Sequence, residues 1–163
     1  MDLSVKMQGA LNSQVANEFH SAYLYLSMSA WLDERNLPGM GKWLRKQAQE
    51  ELGHGMKILK FISDRRGVVE LAAVSKPPAS WPSPAGVFEA AFKHEQGVTH
   101  AIHGLVELAE GGKDRATVSF LDWFVTEQVE EEASTSQAAE RLKLAGDKPG
   151  ALLALDAEFG RRE

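Results

Sequence analysis

Cysteine is absent from the sequence, which excludes disulfides, thiolate zinc sites, iron–sulfur clusters and a thiol nucleophile. No apolar run is close to the length of about 18 residues that a membrane span requires. Basic residues number 18 against 23 acidic ones and form no concentrated run, so we expect no nucleic-acid partner. The start, MDLSVKMQG, lacks a basic segment followed by an apolar one, which predicts no secretory signal and a cytoplasmic location. Because cysteine is absent, any metal ion must be bound by oxygen or by the imidazole of histidine.

Apolar residues recur at spacings of three and four along most of the chain, and no stretch alternates with period two. This pattern predicts an all-α protein with long helices over about 4–35, 40–66, 84–109 and 113–145. A short amphipathic helix is predicted over about 148–160. Short turns join the first long helix to the second and the third to the fourth, so each pair forms an antiparallel hairpin. Residues 67–83, which carry three prolines, form a long connection between the two hairpins. The sequence predicts one domain over 1–163, a four-helix bundle (about 4–145) with one long crossover and a fifth C-terminal helix.

Each long helix has a carboxylate within its own apolar stripe, near the middle of the helix. The first and third helices carry Glu18 and Glu95 there, and the second carries Glu51 with His54 one turn later. The fourth has Glu131 in the equivalent position. A buried ionised carboxylate is strongly unfavourable unless it is paired or binds a metal ion. Four of them at one level of the bundle require cations.

The two hairpins repeat this arrangement. Glu18 precedes Glu51 by 33 residues, and Glu95 precedes Gln128 by the same interval. A glutamate alone on a helix is more often solvated, and a histidine alone is more often a hydrogen-bonded core residue. The conjunction of four stripes, one level, equal intervals and a Glu-x-x-His pair favours a metal site. The five predicted ligands, sufficient for two metal ions, are Glu18, Glu51, His54, Glu95 and Glu131.

The predicted ligand types indicate which metal binds. One imidazole among several carboxylates suits iron or manganese better than structural zinc. Two ions sharing a bridging Glu51 would lie roughly 3.5 to 4 Å apart, which lets dioxygen accept one electron from each. Anionic ligands favour the ferric state, so oxidation of Fe²⁺ is the expected reaction.

Four stretches resemble the prokaryotic non-haem ferritins: NEFHSAYLYL (17–26), EELGH (50–54), KHEQGVT (93–99) and FLDWFVTEQVEEE (120–132). The resemblance implies a ferritin-like bundle and assigns residues to three iron sites. Glu18, Glu51 and His54 correspond to the first site, and Glu51, Glu95 and Glu131 to the second. The third site, which leads iron to the cavity, corresponds to Glu50, Glu127, Glu130 and the shared Glu131. Tyr25 matches a tyrosine beside the first iron, and Gln128 matches a glutamine beside the second.

The family implies an iron-storage ferroxidase in a homo-oligomeric cage of 24 subunits, with O2 or H2O2 as the oxidant. Haem is not expected, because Leu52 stands where bacterioferritins place a haem-ligating methionine. The second hairpin also has Gln128-x-x-Glu131 in place of their second Glu-x-x-His. Rubrerythrin-like peroxidases need a cysteine-ligated iron domain, and the DNA-protecting miniferritins lack this last helix. Both of these classes of protein therefore fit this sequence poorly.

Two other functions remain open from the residues themselves. The carboxylates can hold a static metal pair or hydrogen-bond one another in a structural bundle, or the centre can oxygenate a small organic substrate. Gly53 and Gly55 flank His54, and the sequence allows close packing, a mobile second helix or simple drift there. The remaining histidines, predicted to lie at the surface, are His20, His94, His100 and His103.

Overall fold

The computed structural model describes residues 2–163, which form five α-helices. Their bounds are Val5–Asp33 (α1), Pro38–Asp64 (α2), Pro84–Gly111 (α3), Arg115–Ala145 (α4) and Pro149–Phe159 (α5). No strand occurs within the described range. The predicted all-α class and the order of its helices are confirmed.

Local sequence signals account for the helix starts. The side chains of Ser4, Ser83 and Asp114 accept hydrogen bonds from the backbone N–H three residues later and cap α1, α3 and α4. Proline occupies the first turn of α2, α3 and α5, where its missing N–H would have no helical partner. For this reason α2 begins at Pro38, whereas the sequence predicted a turn there and a start near Met40.

The chain folds as two helical hairpins joined by a long crossover. Helix α1 contacts α2, α3 contacts α4, and the hairpins meet through α1 and α3. The crossover follows α1: Asn12 Nδ2 donates to the Val68 carbonyl at 2.9 Å, and Ser27 Oγ donates to the Pro78 carbonyl at 2.6 Å. The crossover thus spans much of the bundle's length, as predicted. Within the described chain, no helix is both long enough and apolar enough to cross a membrane.

Two apolar clusters fill the bundle, one toward each end. The first includes Met28, Met40 and Phe88, and α5 packs onto it through Phe159. The second cluster includes Leu11 and Phe124 among its members. The apolar residues that share a helix face with Glu18, Glu51, Glu95 and Glu131 at spacings of three and four are buried, except Phe61 on α2, which is half-buried. The buried glutamates lie on these stripes between the apolar residues of both clusters, so the fold places a polar layer inside an apolar core.

The two glycines beside His54 have different surroundings. A Cβ on Gly55 would lie 2.4 Å from Cε1 of Phe19, a ring that packs against the second apolar cluster. A Cβ on Gly53 would meet nothing within 4 Å. Gly55 therefore permits close packing of α2 on α1, whereas nothing in the structure explains Gly53.

This difference predicts opposite effects of alanine at the two positions. Gly55→Ala should lower the free energy of unfolding, because moving the Phe19 ring costs about 1–3 kcal/mol and outweighs the gain of up to about 1 kcal/mol from alanine as the better helix former. Gly53→Ala should raise it by up to about 1 kcal/mol, because alanine is the better helix former. Thermal unfolding of the metal-free proteins measures both, and shifts of the same sign would contradict this account.

Candidate metal centre

Each long helix of the bundle contributes one buried carboxyl group to a single layer. Glu18, Glu51, Glu95 and Glu131 come from α1, α2, α3 and α4, and none is more than 4% exposed. His54, one turn after Glu51, is also buried. The five ligands predicted from sequence therefore lie inside the bundle, where their charges need compensation.

These five residues form two groups in which the ligand atoms lie within 4.8 Å of one another. Glu18, Glu51 and His54 make up the first group, and Glu51, Glu95 and Glu131 the second. Glu51 belongs to both. A carboxylate has two oxygens, so one that is shared between two groups is suited to bridge two cations.

The first group leaves one carboxylate oxygen without a donor. Nδ1 of His54 lies 3.3 Å from Glu51 Oε2 and 4.0 Å from Glu18 Oε2. Glu18 Oε1 accepts a hydrogen bond from Gln14 Nε2 at 2.8 Å. Glu18 Oε2 is buried and accepts no hydrogen bond from the described residues. Buried polar atoms are normally satisfied, and a cation between Glu18 and His54 would satisfy this one.

Hydrogen bonds from neighbouring side chains hold the second group. The Tyr25 hydroxyl donates to Glu95 Oε1, and Gln128 Nε2 donates to Glu95 Oε2 at 3.1 Å. The predicted residues Tyr25 and Gln128 thus both contact the same carboxyl group. Gln47 Nε2 donates to Glu51 Oε1 at 3.1 Å and to Glu131 Oε2. These three donor side chains are not members of the second group, and their hydrogen bonds fix the orientations of its carboxyl groups.

Two buried glutamines at the site were missed as functional residues. Gln14 and Gln47 each lie four residues before a predicted ligand, Glu18 and Glu51 respectively, and donate to its carboxyl group across one helical turn. The sequence contains a signal for them, because a residue four positions before a predicted buried ligand lies on the same face of the helix. A Gln-x-x-x-Glu pattern in both helices of the first hairpin is the feature that could have identified them.

Burial and mutual repulsion raise the pKa of the clustered carboxyl groups. Burial is the largest cause of the raised pKa at Glu18 and Glu51, followed by repulsion from neighbouring glutamates. Burial also raises the pKa of Glu95, and burial together with Glu95 raises the pKa of Glu131 to about 7. The metal-free centre therefore retains protons that an incoming cation must displace.

Comparison with known proteins identifies the family. The family model for the ferritin-like domain matches residues 8–145. The chain belongs to the ferritin family. It is 38% identical over 160 residues to the bacterial non-heme ferritin of Bacteroides fragilis (strain 638R), covering 98% of this chain and 99% of that one. Identity to the bacterial non-heme ferritin of Staphylococcus aureus (strain MRSA252) is 39%, covering 98% and 96%. Membership of this family supports a role in iron storage.

Solved ferritin structures share the entire fold. The open pore ferritin from the hyperthermophilic archaeon Archaeoglobus fulgidus is 50% identical, with a TM-score of 0.98, covering 99% of this chain and 100% of that one. A structure described as a humanized archaeal ferritin is 48% identical, also with a TM-score of 0.98, covering 99% and 98%. The family model ends before α5, but the similarity to these ferritins includes it.

The residues predicted for a third iron site are only partly assembled in this ferritin. Glu127 forms a third close group with His54 and Glu131, and its Oε1 lies 3.8 Å from His54 Nε2. Glu50 Oε2 instead accepts a hydrogen bond from Arg162 at 2.7 Å, and Glu130 is exposed. No close group within residues 2–163 includes either. The third site stays a prediction.

The histidines of this ferritin differ in their surroundings. The Trp123 and Phe124 rings meet the His54 ring edge-on, at 5.3 and 6.0 Å between centroids, and restrict its orientation.

The prediction that His94 lies at the surface is wrong, since it is half-buried with Nε2 2.7 Å from Ser21 Oγ. Burial, then His20, lowers the pKa of His94 to about 4. The small Ser21 lets α3 approach α1 closely enough for this contact. His20 is also half-buried, whereas His100 and His103 are exposed as predicted.

Proposed function

We propose that this ferritin oxidises Fe²⁺ at the centre formed by its buried glutamates and His54, and stores the Fe³⁺ as a mineral inside a cage. The observation that carries the proposal is Glu51, a buried carboxyl group shared by two close ligand groups. An arrangement of this kind binds a pair of cations, and a pair delivers two electrons to one acceptor. The proposed ligands are Glu18, Glu51, His54, Glu95 and Glu131.

The reaction balances with iron as the substrate and dioxygen as the acceptor. Two Fe²⁺ lose one electron each, and O2 takes both electrons and two protons to leave as H2O2. With H2O2 as the oxidant, the same two electrons and two protons yield two water molecules. Carboxylate oxygens with a single imidazole suit iron in both oxidation states, and the anionic set favours Fe³⁺.

Residues around the ligands would hold this geometry through the reaction. The Tyr25 hydroxyl, whose pKa burial and the nearby Glu95 raise, stays protonated and continues to donate to Glu95. Gln128 donates to the other oxygen of the same carboxyl group. Protons released from Glu131 and its neighbours as Fe²⁺ binds would leave the carboxylates ionised and able to act as ligands.

Carboxylates beside the centre would lead iron onward. Glu127 lies next to His54, and Glu130 is exposed one turn along α4. Together with Glu50 and Glu131 they form the proposed third site, through which Fe³⁺ leaves for the cavity. Leu52 is half exposed and cannot act as a haem ligand, so no haem is proposed.

A cytoplasmic homo-oligomer of 24 subunits is the proposed assembly. Large apolar side chains are exposed on the two helices of the first hairpin, Tyr23 and Leu26 on α1 and Leu52 and Met56 on α2. Exposed apolar surface of this kind is typical of contacts between subunits. The proposed partners are Fe²⁺, O2 or H2O2 and other copies of the chain.

Stopped-flow absorbance after aerobic mixing of metal-free protein with Fe²⁺ tests this function. We expect rapid ferric absorbance that saturates near two irons per chain, with one O2 consumed for every two Fe²⁺. Iron added beyond this amount should elute with the assembled protein on size exclusion. Oxidation no faster than in buffer would contradict the proposal and favour a static metal pair.

A further inference from the structure

The C-terminal segment reaches back from α5 to the metal layer through one side chain, Arg162. Its guanidinium carbon lies 4.3 Å from the ring centroid of Trp43 on α2, a stacked cation–π contact. One nitrogen, Nη1, donates to Gln47 Oε1 at 3.0 Å, and the other, Nη2, donates to Glu50 Oε2 at 2.7 Å. Three successive turns of α2 are therefore tied to the end of the chain.

Gln47 connects Arg162 to two of the proposed iron ligands. Its amide is fully buried, and its Nε2 donates to the carboxyl groups of Glu51 and Glu131. Arginine can only donate hydrogen bonds, and carboxylates that bind a cation are ionised and can only accept them. The amide oxygen must therefore face Arg162, and the amide N–H groups must face the ligands. Arg162 thereby fixes the orientation of the glutamine.

Arg162 also supplies the positive charge nearest to the Glu50 carboxylate. It lines a cavity of about 510 Å³ between α2, α4 and α5, together with Trp43, Ser134 and Phe159. The cavity gives the arginine side chain space to move away from Glu50. A cation that binds Glu50 would compete with the guanidinium for the same carboxylate oxygen.

We propose that Arg162 is a positioning residue that acts on the two classes of cation site in opposite directions. Through Gln47 it orients Glu51 and Glu131 and strengthens binding at the dinuclear centre. Through its ion pair with Glu50 it weakens binding of a third cation. This inference rests on the proposed function, because it takes those carboxylates as the iron ligands.

The test compares Arg162→Met with Arg161→Met in the assembled, metal-free protein. Arg161 is exposed and adjacent, so its replacement removes the same charge and leaves the hydrogen bonds of Arg162 to α2 in place. The probe is Co²⁺, which air does not oxidise, followed by its visible absorbance during titration. We expect Arg162→Met to weaken the two tighter Co²⁺ equivalents several-fold and to strengthen the third several-fold. Arg161→Met should leave the affinity for Co²⁺ unchanged at both the tighter sites and the third site.

A second pair of variants tests whether the effect passes through Gln47. Gln47→Met should weaken the two tighter equivalents as much as Arg162→Met does, without strengthening the third. The double variant should show no further weakening at the tighter sites. Additive losses there, or equal behaviour of Arg162→Met and Arg161→Met, would overturn the proposal. If Arg162→Met does not assemble, Arg162→Lys replaces it, and wild-type affinity at both classes of site in that variant would also overturn it.

The rate of Fe²⁺ oxidation separates this inference from the proposed function. We expect Arg162→Met to oxidise Fe²⁺ several-fold more slowly than Arg161→Met. If wild-type protein does not oxidise Fe²⁺, the proposed function fails, but the Co²⁺ comparison still decides the role of Arg162. If wild-type protein oxidises Fe²⁺ and both arginine variants match it in rate and in Co²⁺ binding, only the role of Arg162 fails.

Discussion

Replacing Glu51 by glutamine is expected to lower the rate of Fe²⁺ oxidation by about 100-fold or more. Loss of residues that merely orient a ligand already costs about 10- to 100-fold in metal affinity or activity, and Glu51 is a proposed ligand that belongs to both groups. Glutamine keeps the volume of the side chain but loses the charge and one acceptor oxygen. The measurement is the initial rise in ferric absorbance together with the rate of O2 consumption.

The matched control is Glu107→Gln, which removes one carboxylate from an exposed position on α3. Its rate should stay within about twofold of wild type, because a screened surface charge has little effect on a buried centre. The metal-free Glu51→Gln protein should also be at least as stable as wild type, since a buried carboxyl group has been removed. A Glu51→Gln protein that oxidises Fe²⁺ as fast as the control would place the reaction elsewhere.

The metal-free protein is expected to lose stability as the pH rises from about 5 to 8. The pKa of Glu131 is 4.5 for an ordinary glutamate in water, as in the unfolded chain, and about 7 in the folded protein. Between these values the folded state holds a proton that the unfolded state has lost, so the free energy of unfolding falls with increasing pH. For Glu131 alone the full change is roughly 3 kcal/mol. The raised pKa values of Glu18, Glu51 and Glu95 act in the same direction, whereas the lowered pKa of His94 makes a smaller opposite contribution below about pH 6.5.

The ion pair between Arg65 and Asp114 has a different pH dependence. Burial raises the pKa of Asp114, but hydrogen bonds from Arg65 and Thr117 outweigh it and bring the pKa below 3.8, so the contribution of this carboxylate is already complete above pH 5. Thermal unfolding of chelator-treated protein at pH 5.5 and pH 8 should therefore show the lower melting temperature at pH 8. Glu131→Gln should reduce this difference. A melting temperature that rises with pH would contradict the raised pKa values of the cluster.

Metal binding should reverse the loss of stability at high pH. Cations replace the protons between the carboxylates, so Co²⁺ should raise the melting temperature more at pH 8 than at pH 5.5. Co²⁺ binding should also release more protons at pH 6 than at pH 8, which calorimetry in buffers of different ionisation enthalpy measures. Equal proton release at both values would mean that the cluster is already ionised.

The bundle and the positions of its five candidate ligands follow directly from the sequence pattern. Apolar periodicity fixes which face of each helix is buried, and Glu18, Glu51, Glu95 and Glu131 all lie on those faces. The equal intervals within the two hairpins place Glu51 and Gln128 at one level, and His54 and Glu131 follow them by one turn. These features are local or repeated, so a single sequence contains enough information to predict them.

Contacts between distant parts of the chain carry no such pattern. Arg162 and Gln47 are 115 residues apart, and nothing in the periodicity of α2 or α5 indicates that they meet. The contact between Ser21 and His94 similarly depends on how closely α1 and α3 approach. The partner of Glu50 could not be predicted either, because its position beside the core stripe is equally compatible with a metal ion and with an arginine.

The most direct test of the central claim is anomalous X-ray diffraction at the iron edge, from crystals of the assembled protein soaked anaerobically with Fe²⁺. The account predicts two iron peaks inside each bundle. One should be bound by Glu18, Glu51 and His54, and the other by Glu51, Glu95 and Glu131. Iron bound only at exposed carboxylates, with no peak between these residues at saturating Fe²⁺, would contradict it.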